Sequence, residues 1–248
     1  MPDYPLPSSS VFHSVRVWWS AQRRQHSFIR CVVRFISLIW QFAGDSTPSR
    51  KRQRYGDIDF DWDYRVDTTS ATVGWRERFI GLLNSPYQPT EAALFHRMLA
   101  AVPIDFHEFT FIDIGSGKGR ALLLASDYPF QRIIGVELLP ELHRIAQENI
   151  RRYKSESQRC FSIGSSCADA TSLQFPAAPL LIYLFNPLPE DRLRQMLQNL
   201  HGSIHEHPRP VWIIYHNPLL EHVLLESGTF EKLTGDLQFA IYRNLRGA

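Results

Sequence analysis

The stretch FTFIDIGSGKGRALLLAS, residues 109–126, constrains the fold more than any other: a β-branched and aromatic run passes through three glycines into a helix-forming run. A strand, a glycine turn and a helix make the first crossover of a doubly wound α/β sheet, where the backbone passes close to a ligand at the helix N-terminus. The alternation continues along the chain. Strand-like runs at 132–137 (RIIGVE), within 160–168, at 179–185 (PLLIYLF) and at 210–216 (PVWIIYH) are separated by helix patterns at 140–153 and 189–201. Another helix pattern, Glu91 to Val102, precedes the first strand. This order predicts a mainly parallel sheet with helices on both faces. The segment TFEKLTGDLQFAIYRNL (229–245) breaks the rule and predicts two strands turning around Thr234, Gly235 and Asp236, an antiparallel hairpin that brings the sheet to seven strands.

At 248 residues and 44% apolar, the chain is long enough for one large soluble core. Its charge is unevenly placed. Residues 1–54 carry nine Lys and Arg against two Asp and Glu, so a +7 arm precedes a −5 body, residues 55–248. Residues 1–10 and 43–54 have the composition of flexible segments and bracket one predicted helix, Val11 to Phe42. From Phe28 to Phe42, 11 of 15 residues are apolar, and Arg30, Arg34, Ser37 and Gln41 form a thin polar stripe. Fifteen helical residues span about 22 Å, short of a ~30 Å hydrocarbon core. Trp18, Trp19, Trp40 and the RKRQR run at 50–54 suit an anchor lying on an anionic membrane. A helix docked on the body or on a second subunit fits the same pattern, and nucleic acid fits it less well because the apolar face is so broad. Three cysteines without C-x-x-C spacing indicate neither a disulfide framework nor a zinc site. The polar, proline-rich opening MPDYPLPSSS is unlike a secretion signal, and a cytoplasmic protein, peripheral at the membrane through its arm, is expected.

The glycines at 115, 117 and 119 read G-x-G-x-G, one residue shorter than the dinucleotide fingerprint, and no phosphate-binding G-x-x-x-x-G-K-[ST] occurs. An acid, Asp113, stands two residues before the first glycine, a position suited to cationic or hydroxyl groups and ill suited to a pyrophosphate. Glu137 ends the second strand, where its two oxygens would meet the neighbouring hydroxyls of a ribose. Asp169 follows the third, within reach of an adenine amino group. Taken together, Asp113, Gly115, Gly117, Gly119, Glu137 and Asp169 resemble the class I S-adenosylmethionine (SAM)-dependent methyltransferases, over about Tyr87 to Leu245. The resemblance implies SAM as cofactor, contacted by these residues together with Ser116 and Asn186. A tight turn required only by strand-to-helix packing is the plainer account of the glycines. YQPT, FIDIGSGKGR and GVELLPEL are similar, more narrowly, to the seven-strand lysine methyltransferases, which implies that Tyr87, Thr90 and Glu91 cover the methionine end of the cofactor. Thr90 capping a helix at Glu91 is the structural alternative.

Asn186 and Pro187 follow the fourth strand and resemble the N-P-P-aromatic motif of amino-group methyltransferases, a simple strand-stop turn being the plainer account. Leu188 and Pro189 depart from that motif, which removes the aromatic slot for a planar amine. Asn186 and the carbonyl after it can accept hydrogen bonds from an amine, although Asn is no base. After the fifth strand, His216 is a candidate proton acceptor and Asn217 a substrate contact, although a lone His without a visible partner is more simply a structural residue. The acidic lead-in, with Asp57, Asp59, Asp61, Asp63 and Asp67 among aromatics, reads as a lid for a basic acceptor or as a solvated loop, Tyr64 and Asp67 being its best placed members. No metal spacing occurs. The expectation is N-methylation of an amino group such as a protein lysine. A small-molecule or lipid acceptor, or a non-catalytic binding and assembly module on the same fold, are the alternatives.

Overall fold

Strands buried on both faces lose the in-and-out alternation of a half-exposed sheet and read as nearly continuous apolar runs. A computed structural model describes residues 11–45, 58–69 and 89–245. In it the runs form β1 (Thr110–Ile114), β2 (Arg132–Glu137), β3 (Ile163–Cys167), β4 (Leu180–Leu184) and β5 (Val211–His216). Every residue of β1, β4 and β5 is buried. With β6 (Phe230–Gly235) and β7 (Phe239–Asn244) the sheet has seven strands in the order β3-β2-β1-β4-β5-β7-β6. β1 to β5 are parallel, and β7 runs antiparallel to both β5 and β6. This is the doubly wound sheet with a terminal hairpin that the sequence predicts. The turn lies later than predicted, over 236–238, because the Asp236 carboxylate accepts the N–H groups of Gln238 and Phe239 at 2.7 and 3.0 Å.

The helices are α1 (Val11–Gln25), α2 (Phe28–Asp45), α3 (Ile58–Tyr64), α4 (Ala92–Ala100), α5 (Arg120–Ala125), α6 (Pro140–Arg152), α7 (Glu190–Glu206) and α8 (Glu221–Glu226). α7 buries Leu193, Met196, Leu197, Leu200 and Ile204, one stripe at helical spacing, against a core that includes Ile112, Ile182 and Ile213. α6 buries Leu142, Ala146 and Asn149, so a polar residue sits on its apolar stripe.

Contact density divides the chain into two units, Met1–Asp63 with Thr69–Pro89, and Tyr64–Thr68 with Thr90–Ala248; the whole sheet belongs to the second. Within the first unit the single helix predicted for Val11 to Phe42 is two helices. Trp18 meets Phe35 at 5.6 Å between ring centroids and Trp19 meets Phe28 at 5.9 Å, so aromatic packing folds α2 back on α1. α2 also runs through Asp45, into the stretch read as a linker. Neither α3, in the acidic lead-in, nor the short α8 is predicted from sequence.

Candidate active site

Parallel pairing brings the strand ends to one edge. Ile114 pairs with both Val136 and Leu184, Leu184 pairs with Tyr215, and Glu137 pairs with Cys167. Gly115, Glu137, Asp169, Asn186 and Asn217 therefore all lie at or just beyond the carboxyl edge of the sheet, where β1 stands between strands wound in opposite directions. Open α/β sheets bind their ligands at this switch point. The loop's glycines are left-handed, with φ of 77°, 53° and 84° at Gly115, Gly117 and Gly119. A Cβ on Gly115 would stand 2.5 Å from the Pro187 Cβ. The first glycine thus lets the loop close on the Asn186–Pro187 turn. Gly135, a residue the sequence reading missed, has the same role on β2: its Cβ would lie 2.6 Å from Leu122 Cδ1 and 2.7 Å from Ser116 Oγ. Ser116 Oγ is buried over this glycine with no hydrogen-bond partner among the described residues.

Asp113 is 4% exposed, and burial, reinforced by the charge of Glu137, pushes its carboxyl up to about 8. Burial raises Glu137 as well, against the lowering effect of backbone hydrogen bonds. Its Oε2 accepts the Gly117 N–H at 2.8 Å and its Oε1 the Leu139 N–H at 2.7 Å. Both oxygens are thus held in place by the backbone at the strand end, as an acceptor of ribose hydroxyls requires. Asp169 is more heavily engaged. Oδ1 accepts both the N–H and the hydroxyl of Thr171, and Oδ2 pairs with Arg192. Burial works to raise Asp169, but these partners outweigh it and hold the carboxyl below its usual range.

Asn186 and Asn217 are both left-handed, with φ of 45° and 50°, a conformation a non-glycine residue keeps only where its surroundings impose it. Asn186 Nδ2 donates to the Asn217 carbonyl at 2.7 Å, and Tyr215 Oη donates to Asn186 Oδ1 at 3.0 Å. The two turns brace one another. His216 stacks on Phe185 at 3.8 Å between centroids, and burial drives its pKa down to about 4, so it is neutral at pH 7. Its Nδ1 lies 2.7 Å from Tyr183 Oη, which lies 3.0 Å from Thr90 Oγ1. This buried chain engages the Thr90 hydroxyl. Contrary to the capping alternative, α4 starts at Ala92 with Glu91 as its N-cap and no side-chain cap bond. Glu91 is exposed.

Sequence reasoning also missed what binds residues 64–68 to the glycine loop. Lys118, fully buried, donates to Asp67 Oδ1 at 2.7 Å. Asn149 accepts the Asp67 N–H at 2.8 Å and donates to the carbonyls of Asp67 and Lys118 at 2.8 and 2.9 Å. Arg120 donates to Thr68 Oγ1 at 2.9 Å and to the Thr90 carbonyl at 2.7 Å. Tyr64 packs against Tyr153 with ring centroids 5.0 Å apart. Asp67 is therefore a strap residue on the loop. Two cations inside a glycine turn, Lys118 and Arg120, were the available signal; Asn149 gave none. Tyr87 and Asp57 lie outside the described residues.

No protein-family model and no curated protein matches this chain. Among solved structures, a ribosomal protein L11 methylase from Lactobacillus delbrueckii subsp. bulgaricus is 15% identical with a TM-score of 0.42, over 63% of this chain and 77% of that one. An RNA methyltransferase from Salinibacter ruber, in complex with S-adenosyl-L-homocysteine, is 21% identical with a TM-score of 0.43, over 64% and 94%. A precorrin-6y C5,15-methyltransferase from Geobacter metallireducens is 12% identical with a TM-score of 0.44, over 64% and 90%. Scores at this level carry neither activity nor acceptor over to this chain.

Proposed function

We propose that this chain is a SAM-dependent methyltransferase acting on an amino group, such as a protein lysine. The observation that carries the reading is the contact of two turns. The left-handed glycine loop meets Pro187 through Gly115, so a cofactor cradle adjoins an acceptor site headed by Asn186. The residues fit the cofactor: Glu137 holds a backbone-braced carboxyl where a ribose diol would lie, Asp113 offers a buried carboxyl to a cation, and no side chain stands at Gly115, Gly117 or Gly119.

SAM supplies an electrophilic methyl group on a sulfonium, so the chain's own task is to hold an uncharged nucleophile in line with it. Asn186 Oδ1 retains one lone pair beyond its bond from Tyr215, and that pair accepts an N–H of the acceptor amine. Asn186, Pro187 and Asn217 are half-buried, and an acceptor seated against them loses solvent, which favours the neutral amine over the ammonium. His216, neutral and tied to Tyr183, orients the Thr90 side of the site. A non-catalytic module is the second reading, favoured because both polar atoms of the Asn186 amide already have protein partners. The free thiols of Cys31, Cys160 and Cys167 suit a reducing cytoplasm.

The test is incubation with methyl-labelled SAM and separated protein, small-molecule and lipid fractions. Label in acid-stable methyl-lysine supports the reading, label in extracted lipid or small molecules replaces the acceptor class, and SAM binding without transfer to any fraction favours the module. In an active preparation Asn186→Ala should lower turnover by ~100-fold or more while changing SAM affinity less than about threefold, because the lost bond acts on the nucleophile.

A further inference from the structure

α2 carries two apolar faces, and only one of them is used within the helical pair. Phe28 and Phe35 meet Trp18 and Trp19 of α1. On another side Ile29, Val33, Ile36 and Trp40, spaced by four, three and four residues, form a single stripe along the helix. They are 74%, 60%, 49% and 74% exposed. Such a stripe beside a polar one that carries Arg30 suits a helix that lies in an interface. Charge says what covers it. Residues 11–44 contain five arginines and not one Asp or Glu. Arg16, Arg23, Arg24 and Arg30 are exposed, while Arg34 donates to Gln22 at 2.6 Å and contacts His26, fastening α2 to α1.

We propose that the α1–α2 pair docks on an anionic lipid bilayer through the Ile29–Val33–Ile36–Trp40 stripe, with Arg30 reaching back to the headgroups. A bilayer surface offers hydrocarbon to the stripe and phosphate to the arginines in one plane. A second copy would set two acid-free, arginine-bearing faces against each other, and nucleic acid would leave the stripe in water. Arg30, one position from Ile29, has an aliphatic stem long enough to lie along the apolar surface with its guanidinium in the headgroup layer. No helix among the described residues is long and apolar enough to cross a membrane, so the attachment is peripheral and reversible. Acceptors held at the same surface would be met at raised local concentration.

The experiment mixes the full-length chain with vesicles of phosphatidylcholine alone or with phosphatidylglycerol, and reads co-sedimentation and tryptophan emission. Binding should be at least tenfold tighter to the anionic vesicles and should weaken severalfold as salt rises from about 0.1 to 0.5 M, where the screening length shortens to roughly half. A Val33→Glu, Ile36→Glu double variant should bind at least tenfold more weakly and keep its SAM affinity. Trp40→Phe should lose most of the blue shift that vesicles induce. Equal sedimentation of the double variant and the parent, or no binding of the parent, overturns the proposal. A concentration-dependent dimer dissolved by the double variant, with vesicles ignored, assigns the stripe to a second copy instead.

Discussion

Asp113 is the residue whose chemistry most depends on what occupies the site. With its carboxyl pushed up to about 8 by burial and by Glu137, it is mostly protonated at neutral pH when no cation is near. The folded chain then holds a proton that the unfolded chain releases near its ordinary value, so Asp113 lowers stability progressively as pH rises from about 4 through about 8. A permanent positive charge beside it favours the carboxylate and pulls the value down, so binding SAM should expel this proton. Affinity for SAM should therefore rise with pH below about 8, by at most tenfold per unit, and level off above it. Calorimetry across this range in buffers of different ionisation heat measures both the affinity and the proton released. Asp113→Asn should bind more weakly with a flat profile; a flat profile in the parent chain would mean that Asp113 does not face the cation.

Element by element, the sequence was most legible where one pattern had a single structural solution. The β2 boundaries, Arg132 and Glu137, coincide with the run RIIGVE, because a parallel strand covered on both faces leaves no other use for such a run. The arm was misread because a helical period continues unchanged past His26, and only contacts among Trp18, Trp19, Phe28 and Phe35 make the chain fold back there. Asn149 was illegible for a related reason. Its position on the stripe of α6 calls for an apolar side chain, and what it satisfies is the backbone of Asp67, 82 residues away in sequence. α6 thereby fastens the strap and the glycine loop together. Asn149→Ala leaves the Asp67 N–H and the carbonyls of Asp67 and Lys118 without this partner, at a cost of about 1–3 kcal/mol. Thermal melting should register that loss, and hydrogen exchange should show the Asp67 amide deprotected ahead of the amides of β1. Unchanged exchange at Asp67 would mean that the strap is held without α6.

At the scale of the whole molecule, the buried apolar core belongs almost entirely to one of the two units. Among the described residues, Cys31 is the one buried apolar side chain of α1 and α2, and every other lies between Leu94 and Tyr242. The hydrogen bonds that build the candidate site likewise join residues of Tyr64–Thr68 and Thr90 onward, from the Lys118–Asp67 pair to the Asn186–Asn217 bond. Burial of apolar area is the dominant favourable term in folding, so removing the arm subtracts little from it. A chain beginning at Tyr55 should thus melt within a few degrees of the full-length protein, by the relation of roughly 2–4 °C per kcal/mol for a chain of this size, and should bind SAM with the same affinity. Ile182→Ala, in the centre of β4 and wholly buried, is the counterpart on the other side of the division. It should cost ~2–5 kcal/mol whether or not the arm is present, because the side chains packed around Ile182 belong to the sheet's own core. Calorimetric melting of the four proteins, full-length and shortened, parent and Ile182→Ala, measures both effects as one cycle. Near-zero coupling is expected; a shortened chain that fails to melt cooperatively would instead make the arm part of the core.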